Sequence, residues 1–143
     1  LGQLFLTHTH LDHIIDRAAV EGHNDDLRTY VSALEPAAGA VRFQPGDCFT
    51  VGALQISTRL TKGHSPGGIT YVIEGLERPV AIAGDALFAQ SMGGGMISHQ
   101  DALATNRSEL FTLADHTVVC PGHGPMTSVG EEKAHNPFYP EFK

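Results

Sequence analysis

The sequence predicts one mixed α/β domain over residues 1–143, and three observations carry that prediction. Short apolar runs rich in Val, Ile and Phe recur through the chain, each closed by Gly, Pro or Asp, as strands closed by turns are. Between them lie two longer stretches whose apolar residues return at helical spacing. A chain of 143 residues, 41% of them hydrophobic, is the right size to close one core.

In order, residues 1–6 read as a strand. Leu11, Ile14, Ile15, Ala18 and Ala19 then mark a helix to about Val20. His23 and Asn24 offer a cap, and Asp25 and Asp26 favour the first turn of a second helix reaching about Leu34. Glu35-Pro36 ends it, because proline cannot continue a helix. Strands follow at 41–43, 49–51 and 54–60, separated by Pro45-Gly46-Asp47 and Gly52. Residues 61–68 read as a loop, 69–73 and 80–83 as strands, and 91–99 as a Gly-rich loop. The latter lacks the Lys-Ser/Thr pair of a phosphate loop. A helix is expected from Asp101 to about Ala114, a buried strand at 117–120, and an irregular tail from Glu131, interrupted by Pro137 and Pro140.

The balance of charge excludes some functions. With nine Lys and Arg, no basic cluster and a formal charge of −7, the chain lacks the surface nucleic acid requires. No apolar run approaches the ~20 residues of a membrane-spanning helix. The two cysteines, Cys48 and Cys120, make no disulfide framework. The expected partner is a small-molecule substrate, with neither nucleic acid nor membrane, and the expected compartment is the cytoplasm.

Chemistry concentrates at strand ends. His8-Thr9-His10-Leu11-Asp12-His13 places three imidazoles and a carboxylate where the first strand gives way to the first helix. Residues two apart in an extended segment face the same side, so His8 and His10 can face one ion while Asp12 and His13 face a second point. Three further ligand-type residues stand on strand ends or tight loops: His64 within Gly63-His64-Ser65-Pro66-Gly67, Asp85 after Gly84, and His123 within Pro121-Gly122-His123-Gly124-Pro125. Imidazole nitrogens and carboxylate oxygens are ligands of zinc and similar divalent ions.

These motifs resemble the metallo-β-lactamase superfamily, and the tail, Glu131-Glu132-Lys133-Ala134-His135-Asn136-Pro137-Phe138, is similar to its glyoxalase II-like branch. The resemblance implies an αββα sandwich, here lacking the N-terminal strands of the first sheet. The chain is then the C-terminal portion of the full fold and is expected to associate, with a second copy or a partner chain completing the sheet. It implies two divalent ions, zinc by default, with iron and manganese also compatible. His8, His10 and His64 would hold one, Asp12, His13 and His123 the other, and Asp85 would bridge them. A hydroxide shared by the ions would attack a thioester or similar activated carbonyl, with Asp12 orienting it and Asp85 fixing the pair. The basic and aromatic residues with which glyoxalase II enzymes bind glutathione are missing after Asp85, which points to a smaller thioester. The competing readings are a mononuclear iron persulfide dioxygenase and a catalytically silent metal-binding fragment or interaction module. The other histidines, His23, His99, His116 and His135, are expected in ordinary roles, with His99, beside the Gly-rich loop, the one candidate among them for a substrate contact.

Overall fold

The computed structural model describes residues 2–143, so the first residue of the strand expected over 1–6 lies outside the described residues. The strand itself is β1 (Gln3–Phe5). It pairs in parallel with β2 (Arg28–Ser32), which pairs in parallel with β3 (Val41–Phe43). A second sheet has six strands in sequence order: β4 (Cys48–Val51), β5 (Leu54–Leu60), β6 (Ile69–Glu74), β7 (Val80–Gly84), β8 (Val118–Pro121) and β9 (Thr127–Ser128). Its pairings are antiparallel except β7–β8, which is parallel. Parallel neighbours need a crossover, and residues 86–117, with their helix, supply it.

The two sheets face each other across an aromatic core. Phe43, Ile56, Ile69 and Tyr71 form its buried centre, with Phe5, Tyr30, Phe49 and Ile82 packed against it. Phe5 stacks on Tyr30 at 5.0 Å and meets Phe49 edge-on at the same centroid distance. On the far side of the six-stranded sheet, Ala83 and Val119 pack against Leu87, Ala102, Leu110, Phe111, Val129 and Tyr139. Apart from Leu87, which follows β7, these residues come from α3 (His99–Thr105), the π-turn that extends it (Asn106–Leu110) and the residue after it, and α4 (Val129–His135) with the tail that follows. On the outer face of the small sheet, Glu21 of α2 (Arg17–Glu21) accepts a 2.5 Å hydrogen bond from the Thr29 hydroxyl of β2. Helices therefore cover both faces of a two-sheet sandwich, as expected. The edge of β1 away from β2 pairs with no strand among the described residues. No described helix is long and apolar enough to cross a membrane.

Three elements differ from their sequence-based expectation. The second helix, expected to about Leu34, is instead strand β2. The Asn24 side chain accepts from the Asp26 N–H at 2.9 Å, so the acidic pair belongs to a turn and not to a helix start. Thr29-Tyr30-Val31 then follows its β-branched and aromatic preference, with Thr29 and Val31 buried and Tyr30 in the inter-sheet core. The helix expected over 11–20 is broken at Ile15-Asp16 into α1 (Leu11–Ile14) and α2. Leu11 and Ile15 are 71% and 65% exposed, so no buried stripe holds one continuous helix together. The tail is not irregular at its start. Ser128 caps α4 by accepting from the Glu131 N–H at 3.2 Å, and the helix stops at Asn136, which Pro137 holds extended.

Candidate metal centre

All seven sequence-predicted ligand residues meet at one end of the sandwich, where the C-terminal ends of β1, β7 and β8 come together. Glycines make the approach possible. The Gly122 N–H donates to the Gly84 carbonyl at 2.8 Å, and the Ile69 N–H to the Thr7 carbonyl at 2.9 Å, tying the three strand ends and β6 together. A Cβ on Gly122 would run into Asp85 Oδ1 and His13 Cε1, and one on Gly84, whose φ is +52°, would meet the Thr7 side chain. The register of the β7–β8 pair shifts between Ile82 and Gly84, an irregularity that re-aims the residue after it, Asp85.

Ligand-type atoms fall into three groups, each within 4.8 Å: His8, His10 and His64; His8, His13 and Asp85; Asp12, His13 and His123. Asp85 stands 3.4 Å from His64 Nε2 through one oxygen, and 3.3 Å from His13 Nε2 through the other. The predicted string, loop and strand-end residues therefore come together without exception. His23, His99, His116 and His135 are all exposed and belong to none of the three groups. His99 begins α3, directly against Gly95 of the Gly-rich loop.

The donor set fits divalent cations, and two features of the site bear on this. First, His8 Nε2, His13 Nε2 and Asp85 Oδ1 are buried with no hydrogen-bond partner among the described residues. Buried polar atoms without hydrogen bonds are costly, and these converge on one space, His13 Nε2 and Asp85 Oδ1 being 3.3 Å apart; a cation there would satisfy all three. Second, His64 Nδ1 donates to the Gly94 carbonyl at 2.9 Å, which leaves Nε2 of the neutral ring a lone pair 2.9 Å from His10 Nδ1. A proton on His10 Nδ1 would bridge the two nitrogens in the metal-free site, and a cation there would be met by both lone pairs.

The electrostatics agree. Burial, then the neighbouring His13, pushes the His8 imidazole down to about 4, so near neutral pH this ring is an uncharged ligand. Slight desolvation would raise the Asp12 carboxyl, but its own backbone N–H, His13 and His123 outweigh it and hold it below the usual carboxylate range. Asp12 is 59% exposed and lies 3.1 Å from His123 Nε2, at the mouth of the site.

The His8 shift has a sign that can be tested. Between about pH 4 and 6.5 the unfolded chain takes up a proton at His8 that the folded chain does not. The metal-free protein is expected to lose stability as pH falls from 6.5 toward 4. Urea midpoints of chelator-treated protein should show this, and a His8→Gln variant should show a shallower slope. Equal slopes in the two proteins would count against a buried neutral His8.

Sequence reading missed Glu35. It is 2% exposed, and its carboxylate accepts from the Thr9 N–H at 3.1 Å, the Thr9 hydroxyl at 2.7 Å and the Gly67 N–H at 2.7 Å. Burial alone would raise this carboxyl; the hydrogen bonds from Thr9 and Gly67 help to outweigh that and lower it. Its partners lie 26 and 32 residues away along the chain, so the sole local signal was an acid before a proline.

No protein-family model matches the chain. It is 32% identical over 163 aligned residues to a probable metallo-hydrolase of Streptococcus pyogenes, covering 95% of this chain and 69% of that protein. It is 28% identical to the human mitochondrial persulfide dioxygenase ETHE1, covering 92% of this chain and 54% of that one. Among solved structures, the BLEG-1 B3 metallo-β-lactamase superposes with a TM-score of 0.81 at 30% identity, over 97% of this chain and 78% of that one. With the two-sheet sandwich, the convergent histidines and these likenesses together, the chain belongs to the metallo-β-lactamase superfamily.

Proposed function

We propose that the chain is a glyoxalase II-like metal-dependent hydrolase of thioesters or similarly activated carbonyls, holding two divalent ions, with zinc the default and iron or manganese compatible. The observation that carries this reading is the set of three adjoining ligand groups with unpaired buried atoms at His8, His13 and Asp85. His8, His10 and His64 would hold the first ion, and Asp12, His13 and His123 the second, with Asp85 facing both sides. Divalent ions bound there supply Lewis acidity and an acidified water nucleophile near neutral pH.

The chain's own residues supply the rest. Uncharged imidazoles such as His8 bind without neutralising a cation. Exposed Asp12, kept ionised by His13 and His123, accepts a hydrogen bond from water entering the mouth and orients it. The ligand-bearing stretches 7–16, 85–98 and 121–128 carry no Lys or Arg. Lys62, before His64, is engaged with Asp101 at 3.2 Å. These stretches instead carry exposed Leu11, Met96 and Ile97. This rim suits an uncharged, partly apolar acyl group. It offers no cationic proton donor to an amine leaving group, so a thiolate, which departs unprotonated, fits better than a lactam nitrogen.

A persulfide dioxygenase is the second reading, favoured by the ETHE1 likeness. The meeting of Asp12, His13 and His123 supports the hydrolase over it, since a mononuclear site needs no such second group. The test is metal-loaded protein assayed against small thioesters, lactones, a chromogenic lactam and glutathione persulfide, with oxygen uptake recorded. Turnover of an uncharged thioester without oxygen consumption is expected. Oxygen uptake with iron and no thioester cleavage would replace the hydrolase by the dioxygenase, and inertness with ions bound would leave a silent metal-binding fragment.

A further inference from the structure

We infer that Glu35 is a positioning residue that sets the geometry of the three-histidine group, His8, His10 and His64. The inference rests on the proposed metal reading and extends it to a residue that touches no ligand atom.

Thr9 lies between His8 and His10, and Gly67 lies on the loop that carries His64. The Glu35 carboxylate takes both Thr9 donors on Oε2 and the Gly67 N–H on Oε1. One buried side chain therefore fastens the strand-end histidines to the loop histidine. The loop is closed on itself by the Thr61 N–H to the Gly68 carbonyl at 2.8 Å and the Gly63 N–H to the Ser65 carbonyl at 3.0 Å, so Gly67 and His64 move together. Its seat is tight: a Cβ on Gly67 would run into Leu34 and the Ser32 hydroxyl.

Glu35 is itself anchored. The Arg42 guanidinium, from β3, donates to the Glu35 carbonyl, to the Ser32 carbonyl at 3.3 Å and to the Ala37 carbonyl at 2.8 Å. Among the described residues no Lys or Arg side chain pairs with the Glu35 carboxylate, which is ionised at the cost of burial and held by hydrogen bonds. Partners that orient metal ligands from behind typically change metal affinity ~10–100-fold when lost. Among the described residues the clamp's hydrogen bonds reach Thr9 and Gly67 and not Asp12, His13 or His123, so its effect should fall chiefly on the first position.

The test compares zinc affinities, by competition with a chromogenic chelator, in two backgrounds. In His123→Ala, which leaves the three-histidine position, Glu35→Gln is expected to weaken zinc ~10–100-fold. In His10→Ala, which leaves the second position, the same change is expected to make no difference. Thr9→Val, which removes one donor and keeps Glu35, should weaken the first position less, and Thr9→Ser should restore it. Thermal unfolding of each metal-free variant establishes that it folds; should Glu35→Gln not fold, the Thr9→Val and Thr9→Ser pair decides. Equal weakening in both backgrounds, or none in the first, would overturn the inference. Absence of zinc binding by the unsubstituted chain would instead overturn the metal reading beneath it.

Discussion

Replacing Asp85 with alanine is expected to weaken ion binding at both positions and to abolish turnover. Asp85 is 9% exposed, and its two oxygens face different sides of the site: Oδ2 lies 3.4 Å from His64 Nε2 and 3.6 Å from His123 Nε2, Oδ1 3.3 Å from His13 Nε2. Among the site's side chains, Asp85 is the carboxylate within ion-pair distance of both the loop histidine, His64, and the helix histidine, His13. Loss of a shared ligand should exceed the ~10–100-fold cost of losing an outer partner at each position. His123 is 55% exposed and belongs to only one of the three groups, so His123→Ala should empty the second position and spare the first. Elemental analysis and chelator competition on the two variants check this. Equal losses at both positions in each would contradict the division of ligands.

Gly122→Ala is expected to have the next largest effect. The added methyl would occupy the space of Asp85 Oδ1 and His13 Cε1, in a stretch tied to β7 by the Gly122 N–H on the Gly84 carbonyl. Overpacking of this kind typically costs ~1–3 kcal/mol, and here the displaced groups are themselves candidate ligands. A lower urea midpoint is expected together with loss of ions. Gly124 is the internal control. Its φ of +81° makes alanine strained by about 1–2 kcal/mol, but nothing lies within 4 Å of the added Cβ. Gly124→Ala should therefore lose stability and keep its ions; identical ion loss in the two variants would show that loop strain, and not the close approach to Asp85, is responsible.

The site was more legible in the sequence than the fold around it, for a physical reason. His8, His10, Asp12 and His13 crowd into six residues, and His64, Asp85 and His123 each stand beside glycine or proline. That chemistry is local and needs no knowledge of packing. Strand β2 was missed because its boundary signals compete. Asn24-Asp25-Asp26 suits a helix start as well as a turn, and tertiary pairing of Thr29–Tyr30 with Leu4–Phe5 decided for the strand. α4 was missed because Pro137 and Pro140 drew attention from the Ser128 cap before them.

The buried carboxylates were illegible for the opposite reason. Glu132, 1% exposed, accepts from the Gln90 N–H, the Thr127 hydroxyl and the Asn136 amide, and so braces the start of the Gly-rich loop. Like Glu35, it depends on a partner from a distant part of the chain, here Gln90, 42 residues away. In sequence, each is one acid among sixteen acidic residues.

The central claim is a centre for two ions built from these seven side chains, and the most direct test is a count. The measurement is elemental analysis of the folded chain, purified without chelator and re-dialysed against zinc. Two divalent ions per chain is the result this account predicts. A folded chain that retains one ion or none would contradict it.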